Sequence, residues 1–593
     1  MKLVTLDYET EAIIHAPALH PPKPVGLGIA IDDNDPDYLD LTDPEQLEAA
    51  KGILKQLARD DKVFFLGHNI HSFDNNVTRD FLDDALAGIH PKRIIDTLVL
   101  AAIYSPLSPS LSLKPLASEL LGIPPEERDA VRAWLIENKV VTKTQKDWGA
   151  FIARAPIEIV GPYCKADVTM TRKLFRYFGI KATKGGNIAE QREQLLAPIL
   201  NNMTRRGVRV DVQLLQGWQH NYSIEQQRAD AHIRSILGTQ ELNIDSNSDL
   251  ADAIERAGLT SGWPSTPTGK RRVDKESLET CVTHAELKEL LRYRGVLATY
   301  LGTFIRPWLA MAEMYGGRIH PQWDAVRGER GGTRTGRIAS HDPNLMNVPK
   351  KYEVPPPLGF LPPPNLRRAL LPEPDHVWVS ADFDGQELRG LAHFVGGLLE
   401  QAYIDNPKLD IHSYVVDTIL KTTGKTITRK AAKTVAFLIL YGGGNNKLAA
   451  GLGCSYEEAV EIRRLYYAAL PGIEEFIEDV QLRGKMGRAV RTWGGRDLFA
   501  PLDKDGRPRH YALVNYLIQG SCADLTKAAV CMFNAKCPDI PILATVHDEI
   551  NISVPKNNVK SVRASLEEAM CYPRLSVPMT VTVTQGPNWA DQK

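Results

Sequence analysis

A long helical stretch, from about residue 400 to about 525, is bounded on both sides by strand patterns, and this order restricts the fold most. Before it, in VWVSADFDGQELRGLAHF (377–394), Trp378, Ser380 and Asp382 alternate with Val377, Val379 and Ala381. After it, ATVHDEINISV (544–554) alternates on both sides of a polar break, and VPMTVTV follows. Period-two alternation marks strands, so the helical block reads as an insertion in a sheet-based domain. The first 185 residues carry a separate set of strands (KLVTLDYET, VGLGIAID, KVFFLGHN) that pass into helices, an α/β pattern. A Gly-rich break at 182–187 reads as a linker. Residues from about 190 to 300 read as helices, interrupted by WPSTPTGKRR (263–272). At 593 residues the chain is too long for one core, so an α/β unit followed by an α+β unit, in several domains, is expected.

Composition excludes little. No apolar run approaches the roughly 20 residues of a membrane span, and the acidic N-terminus is unlike a signal peptide. A cytoplasmic protein without a membrane partner is expected. The seven cysteines include no CxxC pair and read as reduced thiols rather than a zinc or disulfide framework. Net charge is −1, yet charge is segregated: Arg483 to Arg496 holds five basic residues and no acidic one, and Arg327 to Arg337 holds four arginines. Both stretches are candidate phosphate-binding surfaces.

Two sets of carboxylates carry the chemistry. Asp7 and Glu9 alternate on one strand face. GHNIHSFD (67–74) adds Asn69 and Asp74, and PYCKAD (162–167) places Tyr163 one helical turn before Asp167. Four carboxylates and a phenol are what a two-metal phosphodiesterase needs: cations for the attacking water and the leaving oxygen, and a hydroxyl to position that water. His68 and His71 read as neighbours of this site, and Asp96 as structural support. In the second half, Asp382 ends a strand, and His547-Asp548-Glu549 falls at the tip of a hairpin. Between them, Arg429, Lys433, Phe437 and Tyr441 recur every four residues in RKAAKTVAFLILYGGG. On a helix that stripe drifts about 120° over about 18 Å, enough to line a nucleoside triphosphate with cations at one end and rings at the other.

These motifs resemble known families over nearly the whole chain. DxE, NxxxFD and YxxxD, in this order, resemble the DEDDy proofreading exonucleases, which implies an RNase H-like domain over 1–185. The motifs after it resemble family A DNA polymerases, which implies a right-hand polymerase domain over 186–593. Its thumb would span about 190–300, its palm about 301–400 and 525–593, and its fingers about 401–524. By that resemblance Asp382, Asp548 and the Phe383 backbone carbonyl hold metal, with Glu549 as support and His547 near the primer end. Glu387 is the steric gate against a ribose 2′-hydroxyl, and Arg429, Lys433, Phe437, Tyr441 and His412 (in DIHSYV) bind the nucleotide. TRTGRIASHDPNLMNVP (333–349) assigns Arg337 to the minor groove, NYLIQGSCAD (515–524) assigns Asn515 and Gln519 to the template–primer, and PSTPTGKR (264–271) assigns Lys270 and Arg271 to backbone phosphates. GPNW (586–589) is also similar to the family.

Tyr511 stands where the family usually has Arg, leaving that DNA contact to Arg507, Arg509 or His510, and Met346 stands where Gln is usual. ELRGLAHF and Gly385 resemble the bacteriophage replicative branch. The motif beginning at Asp7 leaves no room for a 5′-nuclease domain, and the thumb tip shows no large insertion for a processivity partner. The resemblance thus implies a compact, monomeric phage-type replicative DNA polymerase with 3′→5′ proofreading. It would use two Mg²⁺ in each site (Mn²⁺ as a substitute), with DNA primer–template and dNTPs as substrates. Helicase, primase or single-strand-binding protein would be its partners. A repair polymerase, or a nuclease with a silent polymerase module, is the alternative.

Overall fold

The computed structural model describes residues 2–14, 16–124, 126–181, 187–266, 269–327, 332–350, 355–572 and 575–592, with backbone alone for 126–129, 180 and 181. Most of the Gly-rich break expected at 182–187 lies outside the described residues.

The N-terminal sheet has five strands in the order Asp37–Asp40, Pro24–Ile31, Lys2–Thr10, Val63–Gly67, Ile94–Asp96. The first three are antiparallel, and Lys2–Thr10, Val63–Gly67 and Ile94–Asp96 run parallel. Helix Ile157–Lys181 packs on strands Lys2–Thr10 and Pro24–Ile31. Its close approach depends on Gly28: a Cβ there would meet Cys164 Sγ at 2.8 Å and Val168 Cγ2 at 2.9 Å. That approach sets Tyr163 and Asp167 over the strand bearing Asp7 and Glu9.

Helix Ile188–Arg206 packs against both halves of the molecule, on Thr97–Tyr104 of the N-terminal domain and on the long helix Leu513–Lys536. The cause is electrostatic. Arg192 and Glu193 are buried and need buried counter-charges, which Asp524, Lys527 and Arg496 provide. The next helices, Val212–Ile236 and Ala285–Thr299, pack together. The second runs on through a π-helical turn, Tyr300–Ile305, into Arg306–Met314, past the limit of 300 read from sequence.

The C-terminal sheet is antiparallel, in the order Ile542–Val546, Glu549–Pro555, His376–Phe383, Val581–Gly586. The helices between residues 386 and 536 are inserted between two of its strands. Strand His376–Phe383 is covered on both faces. Trp378 is fully buried, stacks on Trp589 and donates to Asn551 Oδ1 at 2.8 Å. Gln592 Nε2 donates to Ser380 Oγ at 2.7 Å, so the C-terminal segment covers the polar side.

Candidate active sites

The N-terminal carboxylates converge. Asp7 and Glu9 project from one strand, Asp74 opens helix Asp74–Phe81, and Asp167 sits one turn after Tyr163 on helix Ile157–Lys181. Burial raises the Asp7 and Glu9 carboxyls well above the usual carboxylate range, and the charge of Asp167 adds to it. Burial likewise pushes Asp74 up to about 8. One of its oxygens, Oδ1, is buried without a hydrogen-bond partner. Crowded, desolvated carboxylates and an orphaned oxygen fit a site that holds divalent cations, since such charges otherwise repel.

Two neighbours of this cluster escaped the sequence reading. Lys114, on helix Leu113–Leu121, places its ammonium 2.8 Å from Asp167 Oδ2 and 3.4 Å from the centroid of the Tyr163 ring. Cys164, one of the cysteines read as reduced thiols, lies with its sulfur 3.9 Å from Asp7 Oδ2. Asp96 is support: its carboxylate accepts from the Asn69 and Leu98 backbone N–H groups at 2.8 and 2.9 Å. His68 is half-buried and His71 buried among these elements, and desolvation pushes each imidazole down to about 4.

In the C-terminal sheet Asp382 pairs in register with Glu549, and the Phe383 N–H donates to the Asp548 carbonyl at 3.2 Å. This ties Asp382 and Asp548 to adjacent strand ends. His547, at φ 58°, makes the turn that exposes Asp548 beside Asp382. Burial, then the Asp548 charge, pushes Asp382 up to about 6, and burial raises Asp548. This pair also fits cation binding, but it is more open: Asp382's side chain is 40% exposed, and its nearest cation, Lys350, is 70% exposed at 3.7 Å. Glu549 is already engaged, accepting from Trp589 Nε1 at 2.7 Å with Arg367 at 3.6 Å, and so braces the pair.

A cavity of about 350 Å³ opens next to Asp548, lined by Arg337, Met346, Glu387, Tyr441 and His547 among others. Arg337 Nη2 donates to Glu387 Oε1 at 2.5 Å, and Gln519 Nε2 to Tyr441 Oη at 3.4 Å. Five residues read from four separate motifs thus meet at one place. Helix Arg429–Leu440 buries Ala431, Ala432, Val435, Ala436, Ile439 and Leu440. Its other face exposes Arg429, Lys433, Phe437 and, at the C-cap, Tyr441 in a line. Arg429 is held by Asp410 at 2.7 Å, which lowers the Asp410 carboxyl. His412 is buried on the preceding helix, Ile411–Thr423, which lowers its imidazole.

Other basic groups are placed differently from the expectation. In the run Arg483 to Arg496, Arg496 is buried with Glu193 and Asp524, Arg491 pairs with Asp497, and Arg483 pairs with Asp479. Only Lys485 and Arg488 of that run are exposed and unengaged among the described interactions, so it is no continuous phosphate strip. Arg327 donates to the Ser108 carbonyl in the N-terminal domain, and Arg330 lies outside the described residues. Lys270 and Arg271 are exposed at a turn, where Arg271 pairs with Asp252 and, at 3.0 Å, with Glu255. Asn515 is half-buried on the helix that carries Gln519. Arg509 donates to Tyr511 Oη at 2.9 Å, which brings a cation to the position where Tyr511 departs from the family pattern.

Comparison with known proteins agrees with this layout. A model described as DNA polymerase family A matches residues 212–591, and one described as 3′-5′ exonuclease matches residues 1–181. The chain is 30% identical to the thermostable DNA polymerase I of Thermus filiformis over 416 residues, covering 68% of this chain and 48% of that protein. It is 30% identical to DNA polymerase I of Deinococcus radiodurans over 418 residues, covering 68% and 42%. Against DNA polymerase I of Chloroflexus aurantiacus it is 27% identical over 594 residues, covering 95% and 59%. The chain thus spans about half the length of the curated relatives it matches. A solved structure described as the POL domain of Pol1 from M. smegmatis, in complex with DNA primer-template and dNTP, shares the fold. Its TM-score is 0.75 at 22% identity, over 100% of this chain and 96% of that one.

Proposed function

This chain belongs to DNA polymerase family A, and from that membership we propose that it extends a DNA primer along a DNA template and removes mispaired 3′ ends. The observation that carries the proposal is the meeting of Arg337, Glu387, Tyr441 and His547 around one cavity beside Asp548, with Gln519 donating to Tyr441 from outside it.

Asp382, Asp548 and the Phe383 carbonyl hold two Mg²⁺ in the polymerase site; Asp7, Glu9, Asp74 and Asp167 hold two in the exonuclease site, with Mn²⁺ as a substitute. Bound cations supply charge neutralisation and lower the pKa of the attacking oxygen. The protein's own groups do the rest. Arg429, Lys433 and His412 meet the triphosphate, Arg429 exchanging its Asp410 partner for phosphate oxygens. Phe437 and Tyr441 present rings to the sugar and base. Glu387, held by Arg337, closes the space a 2′-hydroxyl would need. Arg337, Asn515, Gln519 and His547 position the primer end, and Lys270 and Arg271 the duplex backbone. In the exonuclease site Tyr163 orients the attacking water.

Primer extension on a labelled DNA primer–template with Mg²⁺ tests this. Extension with the four dNTPs and 3′ shortening without them are expected; shortening alone would leave a nuclease with a silent polymerase module. ELRGLAHF and Gly385 favour a phage-type replicative role, with helicase, primase or single-strand-binding protein as partners. The bacterial relatives favour a cellular, gap-filling enzyme as the second reading. No helix among the described residues is long and apolar enough to cross a membrane.

A further inference from the structure

Cys164 lies between the two site residues of its helix, Tyr163 and Asp167, and is fully buried. Its sulfur is 3.6 Å from the Asp7 carbonyl and 3.9 Å from Asp7 Oδ2. One donor atom each from Asp7, Glu9 and Cys164 lie within 4.8 Å of one another. Asp74, 2% exposed, has an oxygen without a hydrogen-bond partner, and its charge acts on both Asp7 and Glu9. The space for the sulfur is provided by Gly28, where any Cβ would stand 2.8 Å from it.

We propose that Cys164 is a metal ligand, and that the N-terminal site of this chain takes a thiophilic divalent cation of the Zn²⁺ or Cd²⁺ class between Asp7, Glu9 and the Cys164 sulfur. The inference rests on reading this cluster as a cation site. Carboxylates alone suit hard cations such as Mg²⁺, whereas a thiolate selects softer ones. With metal–sulfur and metal–oxygen bonds of about 2.3 and 2.1 Å, the donors of a tetrahedral site stand roughly 3.5 Å apart, so a contraction of about 1 Å closes this set. Three protein donors leave a fourth position open, the arrangement of catalytic rather than structural zinc. As the metal–sulfur bond forms, the thiol proton leaves to solvent. Zn²⁺ would therefore compete with Mg²⁺ in this site and not in the all-oxygen polymerase site.

The test is a Cd²⁺ titration of the full chain, read by the ultraviolet sulfur-to-cadmium charge-transfer band. One equivalent per chain should develop the band. Cys164→Ala and Cys164→Ser should lose it, Asp7→Asn should weaken Cd²⁺ binding at least about tenfold, and Cys454→Ser should retain it. A band indifferent to Cys164→Ala or to Asp7→Asn would overturn the proposal. Should both Cys164 variants fail to fold, the cadmium-113 resonance of the wild-type chain decides: a shift typical of all-oxygen ligation overturns it. If Asp7→Asn abolishes Mg²⁺-dependent shortening while the wild type shows no band, the exonuclease reading stands and this inference falls. If Asp7→Asn leaves shortening intact, the exonuclease reading itself falls.

Discussion

The two carboxylate sites solve one problem in opposite ways. In the N-terminal domain, four acidic side chains from three elements are packed into the protein, and Lys114 offsets part of their charge from within. In the C-terminal sheet, two acidic side chains sit at strand ends facing an open cavity, and the nearest cation is an exposed lysine. Under the proposed function, the first arrangement would take a frayed single-stranded end, and the second would leave room for a duplex and an incoming nucleotide. Burial is thus the variable that separates the sites.

The largest effect should come from the carboxylates we propose as metal ligands. Asp548→Ala should lower primer extension by at least about 10³-fold, the equivalent of ~4 kcal/mol, and leave 3′ shortening within about twofold. Asp7→Ala should do the reverse; loss of both activities in either variant would mean that the sites are not separable. Labelled-primer assays read both.

Next is the partner cation. Lys114→Ala breaks a pair whose side chains are only 14% and 11% exposed, so the metal-free protein should lose about 3 kcal/mol in urea unfolding. Millimolar Mg²⁺ should restore much of that by binding the folded state. Lys350→Ala, at the open site, should change stability by under about 0.5 kcal/mol. Equal losses would erase the distinction drawn above.

Within the open site, Glu387→Ala removes the group that Arg337 holds and that we propose faces the sugar, so discrimination against ribonucleotides should fall by roughly 10²-fold in kcat/KM ratio.

The smallest effect concerns the cavity between the domains, where His341 faces Asp324 and Asp342. Chiefly its pairing with Asp324, at 3.4 Å, raises the imidazole to about 9. Its folded-state pKa exceeds the unfolded value, so its contribution is complete below pH about 6.5 and is lost as pH rises through about 9. After solvent screening the change should be under about 1 kcal/mol. His341→Gln should flatten that part of the stability–pH curve.

The stripe from Arg429 to Tyr441 was legible in sequence because its residues follow one another at a helical interval, and the structure exposes them on one face. The alternation around Asp382 located a strand but not its covering, because Trp589 and Gln592 reach it from more than 200 residues away. The basic run at 483–496 misled for a similar reason. Composition showed five cations, whereas their fate depended on Glu193, Asp479, Asp497 and Asp524.

By itself, the sequence determined which residues could do chemistry and on what local element each sits, since hydrophobic period and motif spacing are properties of neighbouring residues. Only the tertiary structure decided which groups surround them: Lys114 against Asp167 and Tyr163, Cys164 beside Asp7, Trp589 and Arg367 on Glu549, and Ile188–Arg206 as a bridge between the domains. Those contacts join segments far apart in the chain. They form because burying charge is costly without a partner, and the partner can come from anywhere the fold brings close.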